Sequence, residues 1–96
     1  MKPSILLREN RDEVRRIIGS YRARNPRVFG SVARGDDGDE SDLDILIDPT
    51  PDTSLFDIGG IRQDLLELLG VEVDVVTPNA LSEGIRADVL AEAVPL

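Results

Sequence analysis

The chain contains neither cysteine nor histidine, and these two absences narrow the chemistry that is open to it. Without thiols there is no disulfide framework and no thiolate zinc site. Without imidazoles there is no histidine base and no histidine-ligated metal. Any acid–base or metal-binding role must therefore fall to the carboxylates, of which the chain has 19.

Long apolar runs are also absent, and the N-terminal segment MKPSILLREN lacks the extended apolar stretch of a signal peptide. The sequence therefore predicts a cytoplasmic protein without a membrane span. With 96 residues and 41% hydrophobic content, residues 1–96 are expected to close a single core of modest size and to form one domain.

The net charge of -8 is distributed unevenly. Residues 1–35 hold nine basic and three acidic side chains, whereas residues 36–96 hold two basic and sixteen acidic ones. The basic first third favours an anionic ligand such as a nucleoside triphosphate. Direct binding of nucleic acid is not expected, because no aromatic platform accompanies the arginines and the acidic remainder would repel a polyanion.

Two aspartates alternate with apolar residues in the segment SDLDILI. In a strand, Asp42 and Asp44 would share one face while Leu43, Ile45 and Ile47 enter the core. At a separation of about 5 Å and an effective dielectric of roughly 20, two such charges repel by about 3 kcal/mol, which a bound cation would reverse. The pair therefore predicts a divalent metal site.

A Gly-Ser turn precedes this pair, with ten residues between them. Residues 27–29 are predicted to form a short strand, and Gly30 and Ser31 open a short helix that Gly35 ends. Such a turn presents free backbone N–H groups to an anion, and glycine permits close approach. Arg34 lies one helical turn beyond Ser31 and can reach the same phosphate. Gly30, Ser31 and Arg34 are therefore the predicted nucleotide-binding residues.

A third acid, Asp74, lies within the valine-rich segment 71–78, which is a second strand candidate. If this strand neighbours the first with the polar faces aligned, Asp74 joins Asp42 and Asp44. Three clustered carboxylates suit two Mg²⁺ ions about 3.5 to 4 Å apart.

The rest of the chain is predicted to be scaffold. Apolar spacing indicates a helix over residues 4–22 and another over 54–69. The second helix is expected to begin at a Ser54–Asp57 capping pair, to end at Gly70 and to place Leu55 on its apolar side. Residues 79–93 are expected to form one broken or two short helices. The acids of the loop 36–40 are expected to be solvated. The predicted fold is a small α/β domain with a mixed three-stranded sheet, helices mainly on one face, and the acidic face left open.

The order Gly30-Ser31, then Asp42-x-Asp44, then a Val-Asp-Val-Val strand resembles the minimal nucleotidyltransferase family of the DNA polymerase beta-like nucleotidyltransferase superfamily. The resemblance covers nearly the whole chain. It implies the nucleotidyltransferase fold, catalytic and metal-binding roles for Asp42, Asp44 and Asp74, and a triphosphate held by Gly30 and Ser31. Known members often act as antitoxins of HEPN-domain ribonucleases, and some transfer AMP from ATP to a tyrosine of that toxin.

The open acidic face leads to expectations about partners. Enzymes of this superfamily usually carry another domain over the cleft, and the chain is expected to end before one could form, so a partner protein or a second copy should cover the site. The leading expectation is transfer of AMP from ATP to a hydroxyl of a HEPN-type toxin. The alternative is a binding module that neutralises the toxin by occlusion. Transfer to a small molecule is disfavoured because no acceptor-binding domain is present.

Overall fold

A computed structural model describes residues 1–96, and its centre is one mixed sheet of four strands. The strands are β1 (Ala23–Phe29), β2 (Leu43–Pro49), β3 (Val73–Val76) and β4 (Val94–Pro95), and their order across the sheet is β3-β2-β1-β4. β2 pairs with β3 in parallel, whereas β1 is antiparallel to both β2 and β4. The predicted mixed α/β architecture is confirmed, with four strands in place of three.

Five α-helices and one short 3-10 helix connect and flank the strands. The helices are α1 (Pro3–Glu9), α2 (Arg11–Ser20), α3 (Gly30–Arg34), α4 (Leu55–Leu69) and α5 (Glu83–Glu92), and the 3-10 helix spans Pro78–Ala80. None of them is both long enough and apolar enough to cross a bilayer. The α4 crossover between β2 and β3 is what makes these two strands parallel.

The alternating apolar side chains of β2 lie in the core, as predicted. Leu43, Ile45 and Ile47 are completely buried and belong to one apolar cluster with Val73 and Val75 of β3. Burial of each of these side chains contributes about 1.5 to 3 kcal/mol. The strand pair that carries the acids is therefore anchored in the core by buried side chains of both strands.

The opposite face of the sheet is less open than predicted. Leu46 points away from the main cluster, yet it is also fully buried. The 3-10 helix contacts β2, and α5 contacts both that helix and α3. Arg86 holds the two helices together by donating to the carbonyls of Pro78 and Leu81. This side of the sheet therefore has a partial cover, which leaves the acidic end uncovered.

α4 begins and ends where the sequence predicts. Ser54 and Asp57 form a reciprocal capping box, and Gly70 ends the helix in the left-handed conformation with φ of 71°. One detail is wrong: Leu55, predicted to face the core, is 84% exposed. It is the first residue of the helix.

Two differences from the prediction concern the N-terminal third. The single helix expected over 4–22 is two helices, interrupted at Asn10, whose side-chain amide donates to the Leu6 carbonyl. β1 begins at Ala23 instead of residue 27, and a bulge lies between Arg24 and Arg27. The left-handed Asn25 and the following proline hide this strand's periodicity in the sequence.

Asp37, expected to be solvated, is only 6% exposed. Its Oδ2 accepts a hydrogen bond from the Ser4 backbone N–H at 2.8 Å, in the first turn of α1. Burial alone would raise the pKa of this carboxyl, but the hydrogen bonds from Ser4, together with smaller contributions from its own backbone and from Lys2, lower it. Asp37 is therefore a long-range cap of α1, and its replacement is expected to destabilise the fold.

Gly60 allows α4 to pack closely against Tyr21, at the end of α2. A Cβ at Gly60 would lie 2.4 Å from a Tyr21 ring carbon, and the ring is held in place because its hydroxyl donates to Asp64 at 2.5 Å. We expect Gly60→Ala to lower the free energy of unfolding by about 1 to 3 kcal/mol. Denaturant titration followed by circular dichroism would measure this.

The neighbouring Gly59 is the matched control, because nothing lies within 4 Å of its Cβ position. Gly59→Ala is expected to stabilise the protein by up to about 1 kcal/mol through helix propensity alone. Equal effects of the two substitutions would contradict the close contact with Tyr21.

Candidate active site

The predicted site residues meet at one end of the sheet. Asp44 lies directly beside Asp74 in the parallel β2–β3 pair and directly opposite Phe29 in the antiparallel β1–β2 pair. Gly30 follows Phe29, so the Gly-Ser turn begins next to the same aspartate. Asp42 comes just before β2. Asp44 and Asp74 thus lie on paired strands and the Gly30-Ser31 turn directly follows one, which fixes their relative positions, whereas Arg34 lies at the end of α3.

The electrostatics of this end are dominated by like charges. Asp44 is half-buried, while Asp42 and Asp74 are exposed. Partial burial, followed by repulsion from Asp74 and Asp42, raises the pKa of Asp44 from 3.8 to about 6. Ionised Asp44 therefore lowers the stability of the folded chain. A bound cation, or protonation of the carboxylate, would remove this unfavourable free energy.

Charge and donor chemistry at this end fit a hard divalent cation such as Mg²⁺, which prefers carboxylate oxygens. The side chains of the three aspartates do not, however, converge into a group of three metal ligands. Asp44 and Asp74 are adjacent through strand register, so they are the two acids whose separation the sheet itself sets. Asp42 is placed only by the chain that leads into β2.

The raised pKa of Asp44 predicts a pH dependence of stability. Because the folded protein holds this proton more tightly than the unfolded chain, the group stabilises the fold below about pH 4 and loses that contribution as pH rises through about 6. After a discount for its partial exposure, the loss is about 1 to 2 kcal/mol.

Chemical denaturation of wild type and Asp44→Asn in EDTA from pH 4.5 to 8 would measure this effect. The variant should be the more stable protein at pH 7.5, and the difference should shrink towards pH 4.5. Carboxyls that do not interact with Asp44 titrate equally in both proteins and cancel. A difference that does not change with pH would contradict the raised pKa of Asp44.

Gly30 is required at its position for two reasons. Its φ is 71°, a conformation that side chains rarely adopt. A Cβ at Gly30 would also lie 2.2 Å from Asp44 Oδ2. The Gly-Ser turn thus packs its backbone directly against the central carboxylate, which brings a predicted phosphate site and a predicted metal site into contact.

Glu92, at the end of α5, is a residue of this site that the sequence did not indicate. The Gly30 backbone N–H donates to Glu92 Oε2 at 2.8 Å, and Arg34 Nη1 donates to Glu92 Oε1 at 2.6 Å. The hydrogen bond from Gly30, followed by that from Arg34, lowers the pKa of Glu92. Arg34 also lies 3.4 Å from Asp36. Two of the three predicted nucleotide-binding residues are thus already paired with a carboxylate.

The chain belongs to the nucleotidyltransferase domain family, which matches residues 7–96. It is 37% identical over 89 residues to the protein adenylyltransferase MntA of Thermococcus cleftensis, which covers 93% of this chain and 87% of that protein. It is also 35% identical over 89 residues to a provisionally named protein adenylyltransferase of Methanocaldococcus jannaschii, covering 88% of this chain and 96% of that one.

Solved structures agree with this assignment. A provisionally named minimal nucleotidyltransferase superposes with a TM-score of 0.88 at 40% identity, covering 97% of this chain and 95% of that one. A toxin–antitoxin crystal structure with AMP-PNP matches with a TM-score of 0.77 at 19% identity, covering 90% of this chain and 71% of that one, which shows a shared fold. The predictions of a minimal nucleotidyltransferase and of an enzyme are confirmed.

Proposed function

We propose that this chain is a Mg²⁺-dependent adenylyltransferase that moves AMP from ATP to a hydroxyl of a partner protein, as the antitoxin of a toxin–antitoxin pair. The observation that carries the proposal is the register of Asp44 beside Asp74, with the Gly30 turn packed against Asp44. Relatives of 35% and 37% identity that are named protein adenylyltransferases support the type of transfer.

In the proposed reaction, the Gly30 and Ser31 turn binds the triphosphate, and Arg34 contributes a guanidinium once it leaves Glu92. Bound Mg²⁺, held by Asp42, Asp44 and Asp74, would supply Lewis acidity towards the phosphate and the acceptor oxygen. Asp74 accepts the proton of the acceptor hydroxyl. The acceptor oxygen forms a bond to the α-phosphorus, the bond from that phosphorus to the bridging oxygen breaks, and pyrophosphate leaves.

The proposed acceptor is a HEPN-type toxin, which would also cover the acidic end of the sheet. A chain of a toxin–antitoxin crystal structure that contains AMP-PNP, an analogue of ATP, has this fold. A second copy of the chain is the other candidate for covering the site. The single domain over residues 1–96, the lack of direct nucleic-acid binding and the cytoplasmic location stay predictions from the sequence.

A second candidate function is neutralisation of the toxin by occlusion alone, without catalysis. Two features of the site favour it. Glu92 accepts hydrogen bonds from the Gly30 N–H and from Arg34, so both of these donors for a phosphate are already paired. The side chains of the three aspartates do not converge into a group of three metal ligands. A chain that only binds its partner needs neither a free phosphate turn nor a metal.

The test is to incubate the purified chain with its co-expressed partner, ATP and Mg²⁺, and to follow the partner by intact-mass spectrometry. We expect the partner's mass to rise by one or more AMP units, and we expect EDTA to prevent the rise. A stable complex whose partner keeps its mass would overturn the catalytic proposal in favour of occlusion. GTP, CTP and UTP in parallel reactions would define the base preference.

A further inference from the structure

Glu92 links the C-terminal end of α5 to the Gly30 turn across more than half of the chain. Its two carboxylate oxygens accept from different donors, Oε2 from the Gly30 N–H at 2.8 Å and Oε1 from Arg34 at 2.6 Å. The side chain is only 25% exposed. One carboxylate is thus bound at both of its oxygens, by a backbone amide and by a guanidinium.

The same two donors form a typical phosphate site. A backbone N–H at a strand-to-helix turn and an arginine fork both suit phosphate oxygens, and a carboxylate has a similar arrangement of two charged acceptors. The Gly30 N–H carries a single hydrogen, so it cannot serve Glu92 and a phosphate fully at once. Glu92 also adds a negative charge beside Asp44, where a triphosphate would bring several more.

We propose that Glu92 occupies the place of a phosphate group in the nucleotide-free protein, and that the triphosphate of an incoming nucleotide displaces it. This inference rests on the proposed function, since it concerns the same turn. No bond is made or broken in the exchange. The Glu92 side chain turns towards solvent, and the Gly30 N–H and Arg34 pass from one anion to the other.

The exchange leaves the sheet intact. β4 follows Glu92 and keeps its pairing with Arg27 and Val28 of β1, and the Leu96 N–H still donates to the Pro26 carbonyl. What loosens is the last turn of α5, which Glu92 fastens to α3. Nucleotide binding and the position of α5 are therefore coupled through one side chain.

Displacement predicts that nucleotide affinity is lowered by a competitor within the chain. If the Gly30 turn is free of Glu92 in about one molecule in ten, the apparent Kd is about tenfold weaker than the intrinsic one. We expect Glu92→Gln to bind ATP, and inorganic tripolyphosphate as a probe without a base, about tenfold more tightly than wild type in calorimetric titrations with Mg²⁺.

Two further variants separate displacement from simple electrostatics. Asp88→Asn changes the net charge equally, one helical turn earlier on an exposed part of α5, and should leave the Kd within about twofold of wild type. Glu92→Asp keeps the charge but shortens the side chain, so it should withdraw from the Gly30 N–H and also bind tripolyphosphate several-fold more tightly. Circular dichroism would confirm the fold of each variant, and Glu92→Asp carries the test if Glu92→Gln is unstable.

The outcomes distinguish this inference from the proposed function. If wild type binds Mg²⁺-ATP and both Glu92 variants bind it equally or more weakly, Glu92 positions the turn and displacement is wrong, while the proposed function stands. If Asp88→Asn also bound ATP or tripolyphosphate more tightly than wild type, the change in net charge alone would explain the effect, and displacement would again be wrong. If no protein in the series binds ATP or tripolyphosphate, both proposals fail.

Discussion

Replacing Asp44 by asparagine is expected to lower AMP transfer about a thousandfold or more while the protein stays folded. Asp44 is the acid at the centre of the site, in register with Asp74 on one side and against the Gly30 backbone on the other. Asparagine keeps the size of the side chain but removes the charge that a metal ion would require. A loss of about 4 kcal/mol in transition-state stabilisation corresponds to this change in rate.

Single-turnover transfer to the partner, followed by intact mass at pH 7.5, would measure the effect. Asp52→Asn is the matched control, because Asp52 is exposed at the opposite end of β2 and the substitution changes the net charge equally. Asp37→Asn is unsuitable, since Asp37 caps α1. Transfer by Asp44→Asn at the wild-type rate would show that the metal assignment is wrong.

The same variant separates the two candidate functions in cells. If neutralisation depends on transfer, co-expression of Asp44→Asn should fail to protect cells from the partner toxin. Protection equal to wild type, combined with lost transfer in vitro, would show that occlusion is the means of neutralisation. Because Asp44→Asn relieves repulsion within the acidic cluster, loss of protection is not expected to come from unfolding.

The parts of the fold that the sequence predicts correctly are those where local pattern and tertiary packing agree. Leu43, Ile45 and Ile47 alternate with polar neighbours and are fully buried on one face of β2. The Ser54–Asp57 capping box sets the start of α4 through bonds within one turn. Such features are encoded within a few residues, so a single sequence is enough to find them.

The parts that were missed depend on contacts between distant residues. β4 is two residues long and contains a proline, so it has no periodicity of its own and exists because β1 offers an edge. Asp37 is one of several acids in a polar loop, and only the fold shows that it caps α1 from 33 residues away. Glu92 likewise sits at the end of an ordinary helix, 62 residues from Gly30. No local signal distinguishes these acids from solvated ones.

The close contact between Gly30 and Asp44 explains why the sequence motif contains both a glycine and an aspartate, which lie directly after β1 and on the neighbouring strand β2. The Gly30 backbone and the Asp44 carboxylate approach so closely that only hydrogen fits between them. A phosphate bound at the turn would therefore lie beside the carboxylate that binds the cation. This proximity is what nucleotidyl transfer needs, because the cation and the turn must act on the same triphosphate.

Gly30→Ala is accordingly expected to be among the most damaging single substitutions in the chain. The added methyl group would lie 2.2 Å from Asp44 Oδ2, and the backbone would keep a φ of 71° that costs alanine about 1 to 2 kcal/mol. With about 1 to 3 kcal/mol of overpacking, we expect the free energy of unfolding to fall by about 2 to 5 kcal/mol. If Asp44 turns aside to relieve the clash, the metal-dependent binding of ATP should be lost instead.

Gly35→Ala is the control that separates the effect of the contact with Asp44 from the effect of the left-handed backbone conformation. Gly35 has nearly the same φ, 76°, but nothing lies within 4 Å of its Cβ position. It should cost only about 1 to 2 kcal/mol and leave ATP binding intact. Urea denaturation and calorimetric titration with Mg²⁺-ATP on both variants give the comparison. If Gly30→Ala matched Gly35→Ala in stability and bound ATP like wild type, the close approach of Gly30 to Asp44 would not exist in the protein, and the site built on that contact would have to be abandoned.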